Sequence, residues 1–210
     1  MNSQTVFIVD DDAAVRDGLA MLLETAGLSA KTYASAHEFL DALDPAQPGC
    51  LLLDARMPQM SGPELQDELN RRGSLLPIIF LTAHGDIATT AQAFKAGASD
   101  FLTKPVDSPT LLKCVHAALE KSARLKRQAA TTQAQRARIR TLTEREREIM
   151  ALVVAGQPNK KIARQLGISH RTVEIHRTRV MQKTGAANLL ELSHIAEACG
   201  LAVPGQAAVS

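Results

Sequence analysis

The sequence has few of the residues on which several classes of protein depend. Its 210 residues include no Trp and only 3% aromatic residues, so stacking platforms for single-stranded nucleic acid are scarce. No run of 18 or more apolar residues occurs, which predicts no transmembrane helix and no membrane partner. The N-terminus lacks the basic and apolar regions of a signal peptide. We therefore expect a cytoplasmic protein.

Cysteine is scarce as well. Cys50, Cys114 and Cys199 are far apart in the chain and show no metal-type spacing, so they are expected to be reduced thiols. This argues against a disulfide framework and against a cysteine-ligated zinc site. A glycine-rich phosphate loop is also missing after the first predicted strand, so a dinucleotide site is not expected.

Aspartate is absent after residue 107, although eleven aspartates lie at or before that position. Residues 1–120 contain 8 Lys and Arg against 16 Asp and Glu, a net charge of −8. Residues 121–210 contain 16 Lys and Arg against 6 Glu, a net charge of +10. This asymmetry predicts two domains with different partners, the second suited to a polyanion.

The acidic half alternates between short apolar runs and amphipathic segments. The predicted strands are Thr5–Val9, Ala30–Tyr33, Cys50–Leu53, Ile78–Leu81 and Ser99–Leu102. Predicted helices separate them, including one over Ala88–Ala96, and a last helix begins after Pro109. Five strand–helix repeats predict an α/β fold, a doubly wound parallel sheet covered by helices on both faces.

Polar residues follow the predicted strands at the edge where such a sheet binds ligands. Asp10 and Asp11 follow the first strand, Asp54 the third, Thr82 the fourth and Lys104 the fifth. Three carboxylates around one point favour a hard divalent cation, and oxygen ligands with room for water suit Mg²⁺. A carboxylate can also act as a nucleophile towards phosphorus, with a lysine and a hydroxyl available to the phosphoryl oxygens.

These residues, together with the segments RMPQMSG and KAGASDFLTKP, resemble the receiver domain of two-component response regulators across residues 1–120. The resemblance implies a flavodoxin-like fold in which Asp54 accepts a phosphoryl group from a sensor histidine kinase. It implies a switch with at most weak autophosphatase activity, not an enzyme.

The same resemblance assigns the remaining roles. Mg²⁺ would be held by Asp10, Asp11, Asp54 and the backbone carbonyl of Arg56. Lys104 would contact the phosphoryl group, and the Thr82 hydroxyl would move to bond it. Phe101 falls at the position of the family's switch aromatic, and the Lys104–Pro105 peptide is a candidate cis bond.

The basic half predicts only helices. Glu120–Arg140 contains good helix formers and is expected to continue the preceding helix as a linker. Thr143 and Glu146 form a capping box for the next helix, and a helix, a short turn and a longer helix follow. A fourth helix is predicted over Leu189–Cys199. The domain boundaries we predict are 1–121 for the receiver, 122–141 for the helical linker and 142–205 for an all-α helix-turn-helix domain.

Residues 142–198 resemble the LuxR-type helix-turn-helix domain, which binds double-stranded DNA. Periodicity places Val173 and Val180 inside the bundle. The candidate DNA-binding residues are Lys160, Lys161, Arg171, Glu174, Ile175, Arg177, Thr178 and Arg179. The basic residues among them are candidate phosphate contacts, whereas Ile175 could touch a thymine methyl and Glu174 a cytosine amino group.

The two halves together resemble the FixJ-like regulators, in which phosphorylation promotes a homodimer that binds promoter DNA. Activation of transcription is the family's usual mode, and RNA polymerase is a further candidate partner. Two other classes stay open: an aspartyl-phosphate phosphatase or transferase, and a phospho-switched adaptor or RNA-binding regulator. The first usually carries its nucleophile after the first strand, and the second is disfavoured by the low aromatic content.

Overall fold

The computed structural model describes residues 4–45, 47–82 and 97–201. The chain divides into two compact units, Met1–Arg127 and Gln128–Ser210. No helix within the described residues is both long enough and apolar enough to span a membrane. The predicted helix over residues 88–96 lies outside the described residues.

The first unit contains a parallel five-stranded sheet. Its strands are β1 (Thr5–Val9), β2 (Ser29–Tyr33), β3 (Gly49–Asp54), β4 (Ile78–Thr82) and β5 (Asp100–Thr103). Their order is β2-β1-β3-β4-β5, and every neighbouring pair is parallel. Each predicted strand is present, with ends that differ by at most one residue.

Helices cover both faces of this sheet. The described helices of the first unit are α1 (Ala13–Thr25), α2 (Ala36–Ala42), α3 (Gly62–Arg71) and the start of α4 (Ser108–Arg140). Phe7, Leu51 and Phe80 pack on the face of α2 and α3, and residues one position along each strand pack against α1 and α4. The doubly wound fold predicted from the strand repeats is confirmed.

The second unit is helical. Its elements after α4 are α5 (Glu144–Val154), α6 (Asn159–Leu166), α7 (His170–Thr184) and α8 (Leu189–Ala198). The capping box of Thr143 and Glu146 is present, and Ser169 caps α7 through the backbone N–H of Thr172. Gly167, at φ +64°, turns the chain between α6 and α7 in a conformation that favours glycine. These four helices are the ones predicted.

Helix α4 runs without interruption through the predicted linker. Its early part is anchored to the sheet, since the Ser122 hydroxyl accepts a hydrogen bond from the Gly49 N–H at 3.2 Å. Its end belongs to the second unit, where Ile139 is buried. The exact point at which the linker begins and ends along this helix stays a prediction.

Candidate functional site

Two acids lie at the topological switch point of the sheet, where the order of the strands reverses. The neighbouring strands β1 and β3 lead into connections on opposite sides of the sheet, and the carboxyl ends of such a strand pair form the usual binding crevice of this fold. Asp10 directly follows β1, and Asp54 is the last residue of β3. The strand order therefore brings together residues that are 44 positions apart in the sequence.

Three carboxylates meet at this crevice. Asp10, Asp11 and Asp54 each offer an oxygen, and these oxygens lie within 4.8 Å of one another. Asp10 is 1% exposed and Asp54 7%, whereas Asp11 is open to solvent. Asp10 and Asp54 are thus enclosed by the protein, whereas Asp11 lies on the side of the cluster that water can reach.

One ammonium lies between the two buried acids. Lys104 Nζ is 2.6 Å from Asp10 Oδ2 and 2.7 Å from Asp54 Oδ1. The lysine follows β5, and its backbone N–H donates to the carbonyl of Thr82 at 2.7 Å. The Lys104–Pro105 peptide is cis, as the sequence predicted.

The charges in the cluster are only partly balanced. Burial raises the pKa of the Asp54 carboxyl, Lys104 opposes this effect, and the neighbouring Asp10 adds to it. Burial acts to lower the pKa of Lys104, but its hydrogen bonds to Asp10 and Asp54 outweigh burial and the pKa is raised. Lys104 thus pairs with two of the three carboxylates, and the three acids outnumber this one ammonium.

The backbone around the acids fixes their carboxylates. The Arg56 N–H donates to Asp54 Oδ2 at 3.0 Å, and the Asp12 N–H donates to Asp10 Oδ1 at 3.0 Å. Arg16, from the first turn of α1, donates to the carbonyl of Asp10 at 2.7 Å. Both buried carboxylates are therefore held in a set orientation. Coordination by the Arg56 carbonyl stays a prediction.

The turn after β3 approaches the site closely. A Cβ built on Gly62 would lie 2.4 Å from the Asp54 carbonyl oxygen and 2.9 Å from Phe80 Cε1. Only glycine fits there without moving the backbone of the acid. The glycine of the RMPQMSG segment therefore helps to position Asp54.

Thr82 lies on β4, the strand next to that of Asp54, and Phe101 lies on β5, one strand further along the sheet. Thr82 ends β4 and is 6% exposed. Phe101 is half-buried and stacks on Phe80, with ring centroids 5.1 Å apart and planes 10° apart. Their predicted roles in a switch stay predictions. His84, which the sequence places beside the site, lies outside the described residues.

The cluster suits a small, hard dication. Carboxylate oxygens are the preferred ligands of Mg²⁺, and the excess negative charge around Lys104 would be relieved by a further cation. Asp11 is exposed, so ligand positions can be left to water. The donor set fits the metal that the sequence predicted.

Asp12 is the third of three consecutive acids after β1, Asp10 to Asp12, and sequence reasoning assigned it no role. Its carboxylate accepts from the N–H groups of Ala14 at 2.8 Å and Val15 at 3.4 Å, and so caps α1. An aspartate directly before a predicted helix is a recognised capping signal. Of the consecutive acids, Asp10 and Asp11 thus belong to the candidate site, and Asp12 caps α1.

The helix-turn-helix of the second unit exposes most of the predicted DNA-binding residues. Lys160 and Lys161 begin α6, and Arg171, Glu174, Thr178 and Arg179 lie on the outer side of α7, all of them exposed. Ile175 is 44% exposed and is absent from the described core of the unit. The exposed residues include four cations, one acid and one uncharged polar residue, and their contact with DNA stays a prediction.

Two of the outward residues have partners within α7. Glu174 Oε1 lies 3.4 Å from His170 Nδ1, and the Thr178 hydroxyl donates to the Glu174 carbonyl at 3.0 Å. Both contacts are exposed to solvent. The Glu174 carboxylate and the Thr178 hydroxyl oxygen can therefore still accept hydrogen bonds from a ligand.

Arg177 differs from the other predicted phosphate contacts. It is half-buried, lines a small cavity beside Ile149 and Val180, and donates to Asn159 Oδ1 at 2.6 Å. Val173 and Val180 are buried, as predicted. Arg177 therefore lies at the edge of the packed side of α7.

Sequence reasoning also missed an ion pair in this unit, between a buried acid and a half-buried lysine. Lys183 Nζ lies 2.6 Å from Glu146 Oε2, and the same oxygen accepts from the Thr143 N–H at 2.9 Å. The bond to Lys183 and those of the capping box hold the pKa of Glu146 below its usual range. The capping box was readable in the sequence, but the lysine 37 residues away was not.

Family models match both units. The model described as the response regulator receiver domain matches residues 6–116. The model described as bacterial regulatory proteins of the luxR family matches residues 140–196.

Similar proteins and a similar solved structure span nearly the whole chain. The transcriptional regulatory protein FixJ of Azorhizobium caulinodans is 46% identical, over 95% of each chain. The transcriptional regulatory protein TdiR of Thauera aromatica is 47% identical, over 92% of this chain and 85% of its own. A solved structure of the response regulator StyR is 43% identical, covers 93% of this chain and 98% of its own, and superposes with a TM-score of 0.79.

Proposed function

Since the chain belongs to the two-component response regulators of the FixJ type, we propose that phosphorylation of Asp54 controls its DNA-binding domain. The chain is a response regulator with a receiver domain and a LuxR-type DNA-binding domain. This pair of domains implies a histidine kinase as one partner and DNA as the other. The relatives are transcriptional regulators, which fits a switch and not an enzyme.

The contact of Lys104 with both Asp10 and Asp54 is the observation that carries the proposal. An oxygen of Asp54 attacks the phosphorus of the kinase phosphohistidine, an O–P bond forms and the P–N bond breaks. The imidazole leaves with the electron pair and takes up a proton. Lys104 is then placed to stabilise the charge on the phosphoryl oxygens.

The residues that would hold Mg²⁺ are Asp10, Asp11, Asp54 and the carbonyl of Arg56. When bound, the metal supplies positive charge for the phosphoryl oxygens and lowers the repulsion among the carboxylates. Asp10 and Asp54 are already oriented by the N–H groups of Asp12 and Arg56. Ligand orientation therefore costs little when the metal binds.

A phosphoryl group on Asp54 would draw the Thr82 hydroxyl towards it and favour an inward position of Phe101. Thr82 is next to Asp54 in the sheet because β3 and β4 are neighbours, and Phe101 has a half-buried position from which to move. We expect this to change the surface over residues 88–101, of which 88–96 lie outside the described residues. That surface would pair with its copy in a homodimer. Weak autophosphatase activity would reset the switch.

The second unit would then bind a two-fold promoter site as a dimer. The exposed cations Lys160, Lys161, Arg171 and Arg179 would contact phosphates, which position a protein without specifying sequence. Glu174, Ile175 and Thr178 would reach base edges in the major groove. Activation of transcription, with RNA polymerase as a partner, is the expected outcome.

The other function classes are not favoured. Phosphatases and transferases that use an aspartyl phosphate usually carry the nucleophile after the first strand, whereas Asp54 ends the third strand of the sequence. An adaptor or an RNA-binding regulator is disfavoured by the match of the second unit to the luxR family.

The experiment that tests this proposal is phosphorylation by acetyl phosphate and Mg²⁺, followed by intact mass. The wild-type chain should gain one phosphoryl group that hydroxylamine removes, and Asp54→Asn should gain none. Asp12→Asn is the matched control, because Asn caps helices as well as Asp does and Asp12 stands outside the cluster. A normal yield with Asp54→Asn, or a loss of yield with Asp12→Asn alone, would refute the assignment.

A further inference from the structure

One arginine of α7, the helix proposed to enter the major groove, is less exposed than the other two arginines of that helix. Arg171 and Arg179 are exposed, whereas Arg177 is half-buried. Its Nη1 donates to Oδ1 of Asn159 at 2.6 Å. Asn159 is the first residue of α6, so the bond joins the middle of α7 to the start of α6.

Helix α6 depends on its neighbours for its position. It has eight residues, fewer than the roughly 12–15 at which isolated helices become even marginally stable. Its N-cap residue, Pro158, makes no side-chain capping bond. At the other end, the carbonyl of Leu166 accepts from Arg145 Nη2 at 2.7 Å. An arginine from a neighbouring helix thus holds each end of α6.

The start of α6 also carries two of the candidate phosphate contacts. Lys160 and Lys161 directly follow Asn159 and are exposed. Their position relative to Glu174 and Thr178 on α7 depends on how the start of α6 is held. Phosphate contacts fix the position of the protein along the duplex, and base edges are recognised from that position. A shift of the start of α6 would therefore change which base pairs the side chains of α7 reach.

We propose that Arg177 and Asn159 form a brace that fixes the start of α6 against α7. Arg177 is then a positioning residue for sequence recognition and does not itself contact a phosphate. The inference rests on the proposed docking of α7 in the major groove. The planar, forked guanidinium suits such a bond, whereas the compact ammonium of lysine keeps the charge but loses the geometry.

The test uses the full-length protein with beryllofluoride and Mg²⁺, and two duplexes. One duplex is selected by the wild-type protein from a randomised library, and the other has a random sequence. Arg177→Lys should weaken binding to the selected duplex about tenfold or more, because a lost hydrogen bond to a charged group is worth at least that factor. Binding to the random duplex should stay near the wild-type value, since it needs no register.

Asn159→Ala should give the same loss of specificity, although it changes no charge. The double variant should be no worse than either single variant, because both remove the same bond. Asn159→Asp combined with Arg177→Lys should restore part of the specificity through a carboxylate–ammonium pair. Arg164→Lys is the matched control, since Arg164 is an exposed arginine of α6 that is not among the candidate DNA contacts, and it should leave the ratio between the two duplexes unchanged.

The salt dependence separates a brace from a phosphate contact. Arg177→Gln should leave the slope of log affinity against log salt unchanged, whereas loss of a phosphate contact would flatten it by about 0.9 per monomer. A flattened slope, or wild-type specificity in Asn159→Ala, would overturn the brace. Equal weakening on both duplexes with a lower melting temperature would also overturn it, by showing a merely structural role. If the wild-type protein itself prefers no duplex, the proposed DNA-binding function fails instead.

Discussion

Each unit buries an acid against a lysine, but the pKa values of the two acids move in opposite directions. Asp54 is 7% exposed and its pKa is raised by burial. Glu146 is 2% exposed and its pKa is lowered by its bonds to Lys183 and to the capping box. The difference lies in the balance between burial and hydrogen bonding, because burial is the largest effect on the pKa of Asp54, whereas the bonds to Lys183 and Thr143 outweigh burial at Glu146.

Each acid accepts from a lysine and from a backbone N–H, but among the described residues Lys183 pairs with Glu146 alone. Asp54 shares Lys104 with Asp10, and Asp11 lies beside them. Glu146, the structural acid, is thus fully paired within the protein. Asp54, the acid of the candidate site, lies in a cluster with more carboxylates than ammonium groups. A bound dication, or a phosphoryl group together with its metal, can balance that charge. Perturbed carboxylates in a crevice are a common mark of functional sites.

The largest effect should come from removing the shared lysine. Lys104→Met leaves two buried carboxylates facing each other, and loss of one member of a buried ion pair costs about 3 kcal/mol or more. Lys183→Met is the counterpart in the second unit and should cost less, because it leaves one unpaired carboxylate and not two, and the Thr143 N–H still donates to Glu146. Free energies of unfolding from urea titrations check both values. A larger loss for Lys183→Met would reverse the comparison.

Magnesium should stabilise only the acidic unit. At a concentration about ten times the dissociation constant, binding to the folded state adds about 1.4 kcal/mol. Calorimetry of the full chain should show a rise in the melting temperature of the first unit alone. Asp11→Asn should remove most of this rise, and Asp12→Asn should keep it. A rise in both units, or one that persists in Asp11→Asn, would count against the metal site.

The smallest effects should appear as opposite responses to acid. Glu146 has a lowered pKa, so its stabilisation is present above the unfolded value of about 4.3 and is lost as pH falls through the folded value. Asp54 has a raised pKa, so stability falls as pH rises from about 3.9 through the folded value.

The matching variants should therefore differ in sign near neutral pH. Glu146→Gln should cost about 0.5–1 kcal/mol, the range of a partly screened pair, whereas Asp54→Asn should stabilise the chain. The Asp54→Asn difference should shrink as the pH is lowered towards 4, whereas the Glu146→Gln difference should shrink mainly below about 4.3. Urea midpoints between about pH 3 and 7, without Mg²⁺, provide the measurement. If Glu146→Gln and Asp54→Asn changed the free energy of unfolding in the same direction, the opposite pKa shifts of the two acids would be contradicted.

Most of the fold could be predicted because its signals are local. Buried parallel strands are continuous apolar runs, and Thr143, Ser169 and Gly167 mark helix ends by capping and turn chemistry. The meeting of Asp10, Asp54 and Lys104 followed from one topological rule, that the carboxyl ends of parallel strands share an edge.

Arg177 shows a position that the sequence left open. It lies four residues after Val173 and three before Val180, which is the spacing of one helical face. This period favours the packed side, where the structure places Arg177 half-buried, whereas its charge made it a candidate phosphate contact. The Glu146–Lys183 pair needed the tertiary structure, because no local pattern joins residues on α5 and α7.

The most direct test of the account is whether the state of Asp54 controls DNA binding. Affinity for the selected duplex is measured at fixed salt with and without beryllofluoride and Mg²⁺, for the wild-type chain and for Asp54→Asn. Beryllofluoride should raise the wild-type affinity about 5–150-fold, the usual range of coupling between two sites, and should shift the protein towards a dimer in sedimentation. Asp54→Asn should show neither change. Equal wild-type affinity in both states, or the same rise in Asp54→Asn, would contradict the account.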